Sequence, residues 1–581
     1  MIAYRIDVAD AATHRFRVTL SVPAPEAQTT LSLPVWIPGS YMVREFGRHL
    51  SQLQATQGKQ PVVLEQLDKT TWRAACTGRG TLTVQYEAYA FDTSVRTAYL
   101  DDSRGFFNAT GLCLRVHGQE AQPHQVQIGT LPKGWQVATA MPPATAMPVA
   151  GGKRSYLSAD YDELVDHPFE LGTFWRGEFE TNGVRHEFVV SGAWPGFDGE
   201  RLLADTKRIC ATQIGFWHGK KKPPFKHYVF MLNAVEEGYG GLEHRASTAL
   251  IANRRDLPRA GMEGLPDGYL TLLGLISHEY FHTWNVKRLK PREFLRYDYT
   301  QENYTRLLWL FEGFTSYYDD LMLVRAGILD APRYLKLLAR TVNGVAASPG
   351  RQVQSVAQSS FDAWVKYYRS DENTPNATIS YYTKGSLIAL LLDLRLRANG
   401  KTTLDELMRH LWAQHLASGV TEDAVFAAVS ELDGAALADD LRSWVHGRDE
   451  LPLPAVLASA GITQGSEAAG WAPSFGLKLS EGPITGVQVK GVMAGSAAAA
   501  AGLSAGDELL AIDGWRIRRF DDARAWVAPG AAMQLTLVRG QRLRELTLKP
   551  ATTPLIAPLT LSLADKPEAA AQALRQAWLG R

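Results

Sequence analysis

His278-Glu279-Tyr280-Phe281-His282 spells H-E-x-x-H, a pattern that makes sense only on one kind of backbone. On an α-helix, residues four apart share a face, so both imidazoles can offer nitrogen ligands to one tetrahedral metal ion. Glu279 lies about 100° around that helix, close enough to reach a water at the metal without ligating the metal itself. The preceding Leu272, Leu273, Leu275 and Ile276, mixed with Gly274 and Ser277, read as a buried helix that delivers the motif into a core. Burial would hold the imidazoles still. The plainer reading, a buried helix with two unrelated histidines, weakens as further residues join the motif.

A peptidase built on this helix needs a third protein ligand, and Leu307-Leu308-Trp309-Leu310-Phe311-Glu312-Gly313-Phe314 offers Glu312, a lone carboxylate in an apolar segment. A buried, unpaired carboxylate costs several kcal/mol, so it is expected to be protonated, salt-bridged or bound to metal. The competing reading is a surface glutamate on an amphipathic helix. Between His282 and Glu312, the charges Lys287, Arg288, Lys290 and Arg292 suggest a looped, mostly solvated excursion. With two histidines, one glutamate and an open fourth position, zinc would lower the pKa of its bound water to about 7. Glu279 could take that water's proton during attack on a carbonyl and return it to a leaving amine. Other metals stay open, although mixed nitrogen and oxygen ligands in this frame favour zinc.

Two further segments narrow the reaction. Gly240-Gly241-Leu242-Glu243-His244 follows the strand-like His227-Tyr228-Val229-Phe230-Met231-Leu232 and places glycines beside an acid. Such a strand edge can pair with a substrate backbone while Glu243 meets a cation. Tyr381-Tyr382-Thr383-Lys384-Gly385 opens an apolar helix through Leu387, Ile388, Leu390, Leu391 and Leu392 that ends at Asn399-Gly400. A tyrosine hydroxyl there could donate to a developing oxyanion. Taken singly, the glycine pair reads as a turn and the tyrosine as packing.

Taken together these segments resemble the glycyl aminopeptidases, a PDZ-containing branch of the thermolysin-like zinc metallopeptidases. The resemblance rests on Trp36-Ile37-Pro38-Gly39-Ser40-Tyr41, Gly240-Gly241-Leu242-Glu243-His244, His278-Glu279-Tyr280-Phe281-His282-Thr283-Trp284-Asn285 and Glu312-Gly313-Phe314. It implies one zinc ion per chain held by His278, His282 and Glu312, with Glu279 as the base. It also implies a preference for N-terminal glycine, and less so alanine. More distantly the layout is similar to aminopeptidase N, whose G-x-M-E-N loop binds the substrate's free amine through its glutamate. Glu243 matches that glutamate, whereas His244 replaces the loop's final asparagine. The Y-x-K-G segment of that relative carries the oxyanion-stabilising tyrosine, which points to Tyr382 rather than Tyr381.

The rest of the chain is consistent with such an enzyme. Its 581 residues, 45% hydrophobic, can bury several cores. A net charge of +1 excludes the strong basic excess of a nucleic-acid binder, and Lys220-Lys221-Lys222 reads as a short solvated loop. Three cysteines, Cys76, Cys113 and Cys210, have no metal spacing and read as buried thiols. Met1-Ile2-Ala3-Tyr4-Arg5-Ile6-Asp7 lacks a charged lead and an apolar core, and no run is long enough to span a bilayer. The expectation is a cytoplasmic protein, or a periplasmic one if a leader preceded this start.

The fold class expected is multidomain α+β. Residues 1–168, with alternation at Phe16, Val18, Leu20, Val22 and at Leu82, Val84, Tyr86, read as a β-rich domain. Arg44, Glu45, Arg96 and Asp101 within it could edge the active cleft, with ordinary surface pairing as the default reading. Residues 169–455 read as a thermolysin-like, mostly helical catalytic domain that begins with strands. Thr403-x-x-Glu406 marks a capped helix start. Residues 345–380, rich in Ser, Gln, Asn and Pro, read as a long loop. Residues 466–552 resemble a bacterial PDZ domain on the strength of Gly495-Ser496, Ala501-Gly502-Leu503, Gly506-Asp507 and Ile512-Asp513-Gly514. Phe475-Gly476-Leu477 matches its carboxylate-binding loop, which implies a peptide C-terminus as a possible partner. Residues 553–581 read as a tail with a docking helix. The function expected is a zinc aminopeptidase acting on peptides with a free N-terminus; a zinc endopeptidase, or a PDZ scaffold with a weak peptidase unit, are the alternatives.

Overall fold

The computed structural model describes residues 1–77, 80–144, 154–550 and 557–580. The expected boundary between PDZ domain and tail, at 552, lies outside them. The chain forms two compact units: Met1–Tyr304 with Tyr318–Ile328 and Trp412–Val420, and Thr305–Tyr317 with Leu329–Leu411 and Thr421–Arg581.

The first unit begins as a β-rich assembly around a seven-stranded sheet. Its strands run Ser155–Ser158, His124–Ile128, Ile2–Asp10, Arg15–Val22, Leu82–Tyr89, Leu50–Gln57 and Gln60–Val62, antiparallel except where Ile2–Asp10 meets His124–Ile128. In Arg15–Val22 the residues Phe16, Val18, Leu20 and Val22 are buried and their neighbours are not, the alternation of a sheet with one face on a core. Three phenols cross that core and spend their hydroxyls on one short segment: Tyr4, Tyr86 and Tyr161 donate to the carbonyls of Leu114, Leu112 and Cys113. Burial therefore leaves no phenol there unsatisfied.

A five-stranded sheet follows in the order Trp175–Thr181, Val184–Ser191, His227–Val235, Ser247–Asn253 and Tyr239–Glu243. Its middle strands are parallel and nearly all buried, as parallel strands must be when both faces are covered. Tyr239–Glu243 turns back antiparallel to Ser247–Asn253 and forms an edge. The helix Asp267–Phe281 packs on this pair of strands and on the helix Gly199–His218. That packing fixes the motif helix against an edge strand.

The second unit is mostly helical. Leu308–Phe311 and the start of Gly313–Arg325 flank Glu312, and Thr383–Asn399, the buried helix after Tyr382, ends at Gly400 with φ +70°. Thr403 and Glu406 exchange the two capping-box bonds. Residues 345–380 are not one long loop. Short helical turns occupy Pro349–Gln352, Val356–Phe361, Tyr367–Arg369 and Thr374–Ala377. Polar composition hid them, because Ser355 and Gln358 serve as a reciprocal cap rather than as loop residues.

The PDZ sheet runs Leu477–Gly482, Gly486–Val492, Glu508–Ile512, Met533–Arg539 and Arg542–Leu548 around its own core of Val487, Leu509, Leu535 and Phe520. No helix among the described residues is long and apolar enough to cross a membrane.

Candidate active site

The motif helix carries His278, Glu279 and, at its C-cap, His282, with Glu279 and His282 buried. His278 Nδ1 lies 3.0 Å from Asp319 Oδ2, and His282 Nδ1 lies 2.8 Å from the backbone oxygen of Asn285. Facing oxygens, each Nδ1 carries its ring's proton and each Nε2 keeps a lone pair. The two Nε2 atoms are 3.0 Å apart. Two lone pairs at that distance repel unless a cation lies between them. One ligand atom each from His278, His282 and Glu312 lies within 4.8 Å of the other two. Loss of surrounding water raises the carboxyls of Asp319 and Asp320 above the usual range, and Asp319's charge raises Asp320 further. A divalent cation at the imidazoles would offset that accumulation of negative charge, so the donor set fits a metal.

The edge strand is laid out residue by residue. His244 N–H donates to Ser247 O at 2.9 Å, so by antiparallel alternation Gly240 and Leu242 face the strand Ser247–Asn253. Gly241 and Glu243 then turn their backbone polar groups to the free edge. A Cβ at Gly241 would overlap the carboxylate of Glu279, and one at Gly39, where φ is +94°, would lie 2.5 Å from Glu243 Oε2. Glycine is thus required where the strand passes Glu279 and where the Trp36–Tyr41 turn folds over Glu243.

Glu243 is 4% exposed, its Oε1 is buried without a hydrogen bond, and no ion pair reaches it among the described residues. Its neighbour His244 is 1% exposed, with Nδ1 3.5 Å from Asp166 Oδ1, and burial holds its pKa below the usual histidine range. Burial alone would raise Asp166. Lys287 at 2.7 Å, His244 and Arg245 outweigh it and hold this carboxylate well below the usual range. Lys287 is therefore not solvated, as its composition-based reading had it, but 4% exposed. The signal missed was that a buried carboxylate elsewhere in the chain, Asp166, needed a cation.

Tyr381 is fully buried and Tyr382 half-buried, its hydroxyl 3.5 Å from that of Tyr368. Burial, then the negative charge of Glu312, hold the Tyr382 phenol well above the usual range, so it stays a donor. In the PDZ domain, Phe475 and Gly476 N–H groups already donate to Ala472 and Pro473 carbonyls at 3.1 and 2.9 Å. Two of the three groups read as carboxylate receptors are thus engaged. The edge strand Leu477–Gly482 beside them opens on a cavity of about 1000 Å³ lined by Trp471, Leu479, Ala346 and Arg351.

The sequence of the Peptidase M61 N-terminal domain matches residues 3–173, that of the M61 glycyl aminopeptidases matches 271–388, and a PDZ domain matches 488–539. An aminopeptidase N family protein from Idiomarina loihiensis superposes with a TM-score of 0.92 at 37% identity, covering 100% of both chains. The chain belongs to the M61 glycyl aminopeptidase family. It is accordingly a metallo-aminopeptidase. More remote solved structures share the fold. An M1 zinc metallopeptidase from Deinococcus radiodurans has a TM-score of 0.50 at 16% identity, over 78% of this chain and 95% of that one. Legionella pneumophila aminopeptidase A has a TM-score of 0.50 at 13% identity, over 96% of this chain and 57% of that one. Among curated proteins, none matches by sequence.

For this M61 chain, one polar residue at the site, Asp319, escaped the sequence reading. Asp319 could have been found as half of an acidic pair, Asp319-Asp320, seven residues beyond Glu312. Arg96, by default a surface charge and otherwise a residue of the cleft edge, donates from Nη2 to the Gly241 carbonyl at 3.2 Å.

Proposed function

We propose that this enzyme removes small N-terminal residues, glycine and alanine, from peptides with a free amine, using one zinc ion held by His278, His282 and Glu312. The observation that carries the aminopeptidase reading is the unpaired, buried carboxylate of Glu243. Leaving such a group without a counter-ion costs several kcal/mol, and a substrate α-ammonium supplies the missing charge. An internal peptide segment or a blocked terminus would leave it unpaired.

The residues then divide the work. A peptide lying antiparallel on the free edge of Tyr239–Glu243 places its ammonium at Glu243 and its first carbonyl between Glu243 and Gly241, on the stretch of strand against which Glu279 packs. Zinc held by His278, His282 and Glu312 would supply a Lewis acid and would lower the pKa of a water to about 7. Glu279 takes a proton from the attacking water and passes it to the departing amine. Tyr382, kept protonated by burial and by Glu312, donates to the oxygen that becomes negative. The preference for glycine and alanine rests on family membership. At the PDZ domain, an extended peptide added to the edge Leu477–Gly482 suits the engaged loop N–H groups better than capture of a C-terminal carboxylate.

The test compares glycyl and alanyl anilides with their N-acetylated forms on zinc-loaded protein. Free-amine substrates should be cleaved, and Glu279→Gln should lower the rate about 10²–10⁴-fold while zinc content is unchanged. Glu243→Ala should harm free-amine substrates selectively. Equal rates on blocked and free peptides would sink the aminopeptidase reading in favour of an endopeptidase.

A further inference from the structure

Arg96 occupies the free edge of the strand on which that substrate would lie. It sits between the strands Leu82–Tyr89 and Ala98–Leu100, in a turn that the fold has made rigid. The fully buried Asn108 donates its side-chain amide to the carbonyls of Val95 and Thr97, the residues on either side, at 2.9 and 3.2 Å. Ser94 Oγ accepts the Arg96 N–H at 3.4 Å. The guanidinium thus has a fixed base from which to reach the strand. Its one acceptor among the described residues is the outward carbonyl of Gly241, its Nε is buried without a partner, and no carboxylate pairs with it. At Gly240, a Cβ would stand only 3.7 and 3.8 Å from Nη1 and Nη2.

We infer that Arg96 is a specificity-determining residue that receives the C-terminal carboxylate of a short peptide, making dipeptides the preferred substrate class. This rests on the aminopeptidase reading above. Glu243 and Gly241 are two residues apart on one strand, about 7 Å. An extended dipeptide spans about 7 Å from end to end. With its ammonium at Glu243, its carboxylate arrives beside Gly241, where the unpaired guanidinium waits. A planar fork of N–H donors suits a carboxylate, and in this half-buried position the pairing relieves a charge that the protein leaves uncompensated. Longer peptides would have to run past Arg96, and amidated ones would leave it unpaired.

The experiment uses the full zinc-loaded chain carrying Glu279→Gln, so that bound peptide is not consumed, and measures glycyl-leucine against glycyl-leucinamide by calorimetry. The acid should bind about tenfold or more tightly than the amide. Adding Arg96→Ala should weaken the acid to the level of the amide, and Arg96→Lys should keep part of the difference. Equal binding of acid and amide, no binding of either, or an equal loss of both in Arg96→Ala would overturn the proposal. An equal loss is what mere damage to the turn would give. The aminopeptidase reading fails separately, when the unsubstituted enzyme cleaves blocked peptides as fast as free ones.

Discussion

At the scale of single residues, the proposed metal ligands are the easiest part of this protein to read, because tetrahedral coordination leaves few spacings on a helix that work. Asp319 is the case that composition does not announce: its role depends on reaching His278 Nδ1 at 3.0 Å, a contact between residues 41 positions apart. That bond sets the tautomer that leaves Nε2 a lone pair for the proposed zinc. Asp319→Ala should therefore lower zinc affinity about 10–100-fold, read by competition with a chromogenic chelator, with the circular dichroism spectrum unchanged. If affinity holds, the imidazole is oriented by helix packing instead. Glu243 and Arg96 show a second limit of sequence: an unpaired charge is defined by what is missing around it, and absence of a partner cannot be read from one position. Lys287 failed for the opposite reason, since a basic loop gives no sign that Asp166 will bury one of its cations.

At the scale of elements, strands announced themselves by period two and the motif helix by its apolar run, whereas close helix contacts did not. Gly313 and Gly385 meet where the helices Gly313–Arg325 and Thr383–Asn399 cross: a Cβ on Gly313 would lie 2.6 Å from the Gly385 Cα, and one on Gly385 2.8 Å from the Trp309 carbonyl oxygen. Backbone on both sides leaves nothing flexible to yield. Gly385 stands three residues after Tyr382 and Gly313 next to Glu312, so this crossing sets the approach of two proposed site residues. Gly385→Ala gains helix propensity, worth about 1 kcal/mol at most, yet should destabilise overall by about 1–3 kcal/mol through overpacking. Urea denaturation measures the balance. A stabilised variant would mean that the helices can separate without loss. In sequence, Gly385 is simply part of the segment that opens an apolar helix; only the partner glycine shows why it cannot be larger.

At the scale of the whole chain, the second unit is held together by its ends. Asn343 forms two bonds with the backbone of Leu559, at 2.9 and 2.7 Å, and Asn376 does the same between Val492 and Ala494, at 3.0 and 2.8 Å. These amides tie the helical body to the PDZ domain and its following strand, a function that for Asn376 a segment rich in Ser, Gln and Asn disguises as loop. The terminal helix Ala569–Leu579 closes the structure with Trp578, which is fully buried. Its indole N–H donates to Tyr317 Oη at 2.9 Å, Tyr317 donates to Asp393 Oδ2 at 2.6 Å, and Asp393 pairs with Arg397 at 2.9 Å. Arg397 in turn donates to the Ala577 carbonyl at 2.9 Å. The last helix of the chain thus completes a circuit through the helix that follows Tyr382. Removing the indole leaves a cavity and costs one bond in that circuit, so Trp578→Ala should destabilise by about 3–5 kcal/mol. Trp578→Phe, which keeps most of the volume but not the N–H donor, should cost about 0.5–1.5 kcal/mol. Urea unfolding followed by far-ultraviolet dichroism separates the two, and equal losses would show that the hydrogen-bond circuit, not packing, is what the terminal helix contributes.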